Sequence, residues 1–279
     1  MVEWLVDGRA DAGIPADDRG LLHGDGVFET IAFFGFTAPL WGLHMQRLKR
    51  GCDSLGIAMP DAGLLLDEAA GLASEAPRCV IRITVTRGSG GSGYFPPPVA
   101  TVRRIVARRA FPEGLDELRR SGLNMRTSAV RLATHSEAPG LKHVSRLDQV
   151  LIARECRRTG ADEALVLDRV GNIVEALHGN VVIVRAVRRA VRLIAPGPHP
   201  VAVAGVGLEW LRRSAGSRLE EGPFPATDLR PDDSIWVINS VRGPGRVRSL
   251  DGRLLERDGE YPHWLVKWQE EVEKCSVSY

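Results

Sequence analysis

Residues 87–98, RGSGGSGYFPPP, most limit what this chain can fold into. Four glycines free the backbone for tight excursions, and three consecutive prolines then fix φ and remove amide donors. Neither a helix nor a regular paired strand passes through such a stretch. On either side the chain is written in short segments whose apolar period keeps changing. Residues 2–6 read as a short strand, and a turn-rich stretch from Asp7 leads through HGDG into the strand VFETIAFF. From Leu43 the period lengthens: Leu43, Arg47, Leu48, Cys52 and Leu55 recur at helical spacing, which puts Arg47 on one face of an amphipathic helix. A second helix is expected over Asp61–Leu72, then strands at Val80–Thr86 and in VRRIVAR. Phe111–Ser121 reads as a connection between domains.

Beyond residue 140 a helix is expected over 144–158, with Val144, Leu147, Val150 and Leu151 on compatible faces and a stop near Gly160. EALVLD reads as a strand, RVGN as a turn and IVEALHGNVVIV as further strand. APGPHP breaks the chain, and a short helix follows over residues 206–214. SIWVIN (234–239) is a strand ahead of a turn at RGPG, and WLVKWQEEVEK looks helical. The pattern is mixed α/β in two lobes, without an internal repeat.

A chain of 279 residues, 44% hydrophobic, has the apolar content for a real core. Its 37 basic and 35 acidic residues leave a net charge of +2, so no field of one sign recommends a nucleic-acid partner. No run of about 18 apolar residues predicts a membrane span. The start, MVEWLVDGRADAG, lacks the basic-then-apolar order of a signal peptide. Cys52, Cys79, Cys156 and Cys275 form no CxxC pair, which favours reduced thiols in a cytoplasmic protein. The seven histidines are scattered, and His44 and His143 read as local structural groups rather than metal ligands.

Few residues stand out chemically. Lys142 follows the turn-prone HSEAPGL just before a predicted helix. A lysine there is ordinarily a solvated surface group, and it forms a Schiff base only where partial desolvation deprotonates its amine. Glu175 lies within the apolar IVEALHG, where a buried carboxylate needs a partner: a protonated ring nitrogen, an arginine or backbone donors. Arg47 offers two parallel donors to a phosphate. The turn Gly205-Val206-Gly207 at a helix start, and Asn239-Ser240-Val241 at a strand end, offer amides and a hydroxyl. Each also has a plainer reading as helix surface, cap or β-turn.

The order of the segments, however, resembles the class IV aminotransferases, the fold-type IV pyridoxal-phosphate enzymes. The matching stretches are DRGLLHGDGVFETI (18–31), HMQRL (44–48), TRGSGGSGY (86–94), GLKHVSRLDQVLIARE (140–155) and ADEALVLDRVGNIVEALHGNVVIV (161–184). RGSGGSGY together with GLKHVSRLDQV is similar to the aminodeoxychorismate lyase branch. The resemblance implies a D-amino-acid/branched-chain aminotransferase-like fold with a smaller α/β domain over residues 1–115, a larger one over 116–279, and pyridoxal 5′-phosphate between them. It further implies a cytoplasmic homodimer acting on a small-molecule substrate, without nucleic-acid or membrane partners. Lys142 resembles the lysine that holds the cofactor aldehyde and shuttles protons. Glu175 resembles the partner of the pyridine nitrogen, and Arg47 the phosphate-binding arginine. Val206, Gly207, Ser240 and Val241 stand where the family presents phosphate donors. Thr30 stands where the lyases carry a threonine that helps protonate the departing enolpyruvyl group. Arg87, beside the glycine-rich loop, is a candidate for substrate binding, and Asn180 belongs to a strand motif around the cofactor. The implied reaction converts 4-amino-4-deoxychorismate to 4-aminobenzoate and pyruvate; the alternative is a D- or branched-chain aminotransferase. The chain departs from the family after residue 195, where TP and GI-x-R are replaced by APGPHP and GVGL, placing Ala195 and Leu208 where threonine and arginine are usual.

Overall fold

The computed structural model describes residues 3–132, 139–187, 190–197, 199–255 and 263–273. The turn-prone approach to Lys142 and Cys275 fall largely or wholly outside these. The chain divides into two compact units: Met1–Phe111 with Leu141–Ser145 and Glu270–Tyr279, and Pro112–Gly140 with Arg146–Gln269. Leu141–Ser145, which a division at residue 115 assigns to the second domain, thus belongs with the first unit.

The first unit runs β1 (Glu3–Val6), α1 (Arg19–His23), β2 (Gly26–Phe34), α2 (Trp41–Leu55), α3 (Ala62–Ala73), β3 (Arg78–Thr86) and β4 (Arg103–Ala110). Its antiparallel sheet has the order β1-β4-β3-β2. Period two along β2 sends Val27, Ile31 and Phe33 into one core with Leu48 and Cys52 of α2 and Leu65 and Ala69 of α3. The same period places Glu29 in that apolar row, and Phe28, Thr30 and Ala32 on the opposite face.

The second unit runs α4 (Leu115–Ser121), β5 (Leu123–Thr127), α5 (Leu147–Thr159), β6 (Glu163–Leu167), β7 (Ile173–Ala176), β8 (Asn180–Val187), β9 (Ala190–Pro196), α6 (Val206–Ala215), β10 (Leu219–Gly222), β11 (Ser234–Asn239), β12 (Gly243–Leu250), β13 (Arg253–Leu254) and α7 (His263–Trp268). Its nine strands form one sheet, β10-β9-β8-β11-β12-β5-β6-β7, with β13 on β12. Parallel pairs (β9/β10, β12/β5, β5/β6) occur beside antiparallel ones, so the predicted mixed α/β class holds. Several local expectations change. The supposed connection at Phe111–Ser121 contains α4, Gly243–Gly245 of the expected RGPG turn extend into β12, and IVEALHGNVVIV is two strands folded about Leu177–Gly179.

The glycine-rich loop is organised by a buried cation. Arg19, 4% exposed, donates Nη1 to the carbonyl of Gly93 at 3.0 Å and Nη2 to that of Tyr94 at 3.0 Å, and Nε to Asp25 at 3.0 Å. Longer Nη1 contacts reach the carbonyls of Gly90 and Phe95. The guanidinium thus replaces the strand partners that glycine and proline deny this segment, while the Tyr94 and Phe95 side chains stay exposed. Replacing Arg19 with Met should therefore loosen the loop more than the sheet beneath it. Chymotryptic cleavage after Tyr94 should accelerate about tenfold or more, with a far smaller change in rate after Phe33 or Phe34 in β2; uniform acceleration would show that Arg19 supports the whole unit instead.

Candidate functional site

Leu141–Ser145 docks on the open edge of β2. The Phe28 amide donates to the Lys142 carbonyl at 2.9 Å, the Val144 amide donates to the Gly26 carbonyl at 3.0 Å, and Val27 and His143 form an antiparallel bridge. This register sets Lys142 opposite Phe28, and directly opposed residues share a face. Lys142 Nζ lies 4.4 Å from the centroid of the Phe28 ring. The guanidinium carbon of Arg82, which pairs with Thr30 across β3, lies 3.7 Å from the same ring. One face of β2 and β3 therefore gathers Lys142, Phe28, Thr30 and Arg82. Two cations on one aromatic ring form a favourable but shared contact, worth about 0.5–2 kcal/mol each.

The opposite face holds a buried ionic cluster. Arg47 Nε donates to Glu29 Oε1 at 2.8 Å and Nη2 to Oε2 at 2.6 Å, while His44 Nδ1 meets Oε2 at 2.6 Å. Glu29 is 1% exposed, His44 0% and Arg47 7%. Burial opposes ionisation of Glu29, yet the charge and hydrogen bonds of Arg47, aided by His44, carry its carboxyl down to about 2. Burial lowers His44 as well, against the pull of Glu29. Because Glu29 is a carboxylate and can only accept, the His44 proton sits on Nδ1. His44 Nε2 is buried without a hydrogen-bond partner among the described residues. The Nε/Nη2 edge of Arg47, the natural fork for a phosphate, is thus given to Glu29, and a phosphate contact from Arg47 would use its Nη1 side.

Arg87 has a structural assignment. Its Nε and Nη2 donate to Asp25 at 2.7 and 3.1 Å, and its Nη1 and Nη2 donate to the carbonyls of Gly56 and Leu55 at 2.9 and 2.6 Å. It closes the C-terminal end of α2, where a cation also suits the helix dipole. Burial raises the Asp25 carboxyl, but Arg87 and Arg19 together hold it below the ordinary range. A substrate contact from Arg87, the role expected of it, would have to share these donors.

In the second unit the loop entering α6 is held through one residue, Val203. The Val203 amide donates to Glu175 Oε2 at 2.9 Å, and Asn180 Nδ2 donates to the Val203 carbonyl at 3.0 Å. Glu175 is 5% exposed and Asn180 8%, as expected for carboxylate and amide groups set among strands. A Cβ on Gly205 would stand 1.7 Å from Asn180 Oδ1, and one on Gly207 would stand 3.0–3.2 Å from Ile238 and Asn239. Only glycine at 205 lets the start of α6 lie this close to Asn180, and a side chain at 207 would press on the end of β11 by a few tenths of an ångström. At that end the amides of Val241 and Arg242 donate to Asn239 Oδ1 at 2.9 and 2.7 Å. Val241, expected to offer its amide to phosphate, has it committed to this turn. Leu208, in place of the family's arginine, is buried in the α6 contact with the sheet, and Ala195 is fully buried in β9.

Lys142, Thr30 and Arg47 are thus gathered around β2, and Glu175, Val206, Gly207 and Ser240 around the start of α6 and the end of β11. Sequence reading missed Glu29 and Arg82. The signals were present as charged residues inside the otherwise apolar strands VFETIAFF and VIRITVT.

Comparison with known proteins bears on the fold and the family. The structure is similar to that of 4-amino-4-deoxychorismate lyase from Pseudomonas aeruginosa, with a TM-score of 0.86, 32% identity and coverage of 99% of this chain and 100% of that one. It is also similar to a hypothetical aminotransferase from Mycobacterium tuberculosis solved with alpha-ketoglutarate and PMP bound, with a TM-score of 0.79, 25% identity and 99% of each chain covered. A putative branched-chain-amino-acid aminotransferase from Methanocaldococcus jannaschii is 29% identical over 255 residues, covering 88% of this chain and 85% of the relative. The family model described as amino-transferase class IV matches residues 26–250, and the chain belongs to that family.

Proposed function

We propose that the protein is a pyridoxal-5′-phosphate-dependent lyase that converts 4-amino-4-deoxychorismate to 4-aminobenzoate and pyruvate. The residues present fit the cofactor. Lys142 is the amine for its aldehyde, and the buried carboxylate of Glu175 suits a protonated pyridine nitrogen. The first turn of α6, kept bare by Gly205 and Gly207, presents the amides of Val206 and Gly207 as helix N-termini do for phosphates. Ser240 and Arg47 complete the phosphate donors. When bound, the cofactor supplies an electron sink for the carbanion left by proton loss at the substrate carbon bearing nitrogen.

The observation that carries the lyase reading is the register at β2, which puts Lys142 and Thr30 on one face of the strand. Lys142 Nζ removes the proton from C4 of the substrate. The Thr30 hydroxyl delivers a proton to the methylene carbon of the enolpyruvyl group as its C–O bond breaks, and aromatisation of the ring drives the step. Two proton transfers at separate carbons, one from C4 and one to the methylene carbon, are served by two groups so placed. The rival reading, an aminotransferase for D- or branched-chain amino acids, runs both proton steps through Lys142 and gives the Thr30 hydroxyl no work. A homodimer is part of the same proposal. The exposed Leu147 and Val150 of α5, expected at a covered face, support it.

Purified protein given enzymatically generated 4-amino-4-deoxychorismate should release 4-aminobenzoate and pyruvate in equal amounts; amino transfer to a keto acid without 4-aminobenzoate would decide for the rival. Borohydride reduction of the yellow holoprotein, followed by peptide mapping, should place the pyridoxyl group on Lys142, and a label on any other lysine would remove that assignment. Thr30→Ala should keep the visible absorbance of the bound cofactor while 4-aminobenzoate formation slows on the order of 10²-fold, as for loss of a general acid. A loss of only a few-fold would assign Thr30 to packing.

A further inference from the structure

The cluster behind β2 has a charge balance that a phosphate would upset. Glu29 cancels Arg47 through two hydrogen bonds, and His44, held by Nδ1 on the same carboxylate, is the third member. All three are nearly or completely buried. Arg47 therefore brings a neutral pair, rather than a net cation, to any anion beside it. A phosphate dianion placed there would leave the cluster with two uncompensated negative charges in a region poor in water, where such an imbalance is costly. One atom in the cluster can correct it. His44 Nε2 carries a lone pair, is buried, and has no hydrogen-bond partner among the described residues. A proton there would supply both a positive charge and a donor.

We propose that His44 takes up a proton when the cofactor's phosphate binds beside Arg47, so that phosphate affinity at this site is coupled to protonation of Nε2. The inference rests on the assignment of Arg47 to the phosphate. Three charged groups act on His44: Glu29 from β2 favours the proton, while Arg47 from its own helix and Lys142 from the docked segment oppose it. Burial and these cations hold His44 neutral, so in the empty site the proton is absent and the dianion tips the balance. His44 thereby acts as a positioning residue with a charge state that follows occupancy. Its Nδ1–H keeps Glu29 aligned on Arg47 in both states.

Pyridoxine 5′-phosphate, which has an alcohol in place of the cofactor's aldehyde, tests this without bond formation to Lys142. Calorimetric titration of the apoprotein at pH 7.5, in buffers of different ionisation heat, counts protons taken up on binding. His44→Asn is the matched variant, because an amide N–H can stand where Nδ1 faces Glu29 while the titrating nitrogen is gone; its thermal unfolding verifies that it folds. Wild type should take up close to one proton more than His44→Asn, and its affinity should fall about tenfold more per pH unit as pH rises through neutrality. Equal proton uptake in the two proteins would overturn the inference. Arg47→Met separates the two levels: it should cut the preference for pyridoxine 5′-phosphate over pyridoxine about tenfold or more, the amides of α6 and Ser240 keeping the remainder. An unchanged preference would remove the assignment of Arg47 to the phosphate and this inference with it. A reduced preference, with equal proton uptake in wild type and His44→Asn, would overturn the inference alone.

Discussion

The pairing of Leu141–Ser145 with the edge of β2 is the interaction on which the chemistry of the first unit depends. Two backbone hydrogen bonds, between Phe28 and Lys142 and between Val144 and Gly26, bring a segment more than a hundred residues away in sequence into strand register. Closing so long a loop is entropically costly, although the cost grows only slowly with length. Once the register is set, a single strand has three distinct neighbours. Its core face meets α2 through Glu29, its other face carries Phe28 and Thr30, and its edge carries the lysine. A slip of one residue would turn Lys142 toward the core side and exchange the roles of the two faces.

Much of the architecture was legible because short-range periods survive in the structure. The strands of the first unit and helices α2, α3 and α6 lie close to where alternation and helical spacing put them, and Glu175 is buried as its apolar surroundings imply. The misreadings share one physical origin, namely partners remote in sequence. Val144 suits a helical period, but Gly26 takes its amide, and α5 begins only at Leu147. The apolar face expected of that helix is largely exposed, while Ile152 and Cys156 form its buried side. Nor does the charge of Arg87 announce that the open carbonyls at the end of α2 and the Asp25 carboxylate share its donors. Glu29 escaped notice because a glutamate in an apolar strand says only that it needs partners, and His44 and Arg47 are supplied by another element.

In the second unit the polar work is done by backbone more than by side chains. Loss of the family's threonine and arginine at Ala195 and Leu208 leaves the amides at the start of α6 in place, because amides do not depend on the side chains attached to them. Leu208 instead joins the buried side of the helix, which also carries Trp210 in edge-to-face contact with Trp268, ring centroids 4.9 Å apart. The departure from the family's pattern at Leu208 is, locally, an exchange of a polar side chain for packing.

The contact between Gly205 and Asn180 constrains the history of the chain as well as its shape. Any side chain at position 205 would occupy the place of the Asn180 amide oxygen, and any shorter residue at 180 would let go of the Val203 carbonyl. Neither position can change first without loss, so lineages descending from this sequence are confined to inheriting the two together.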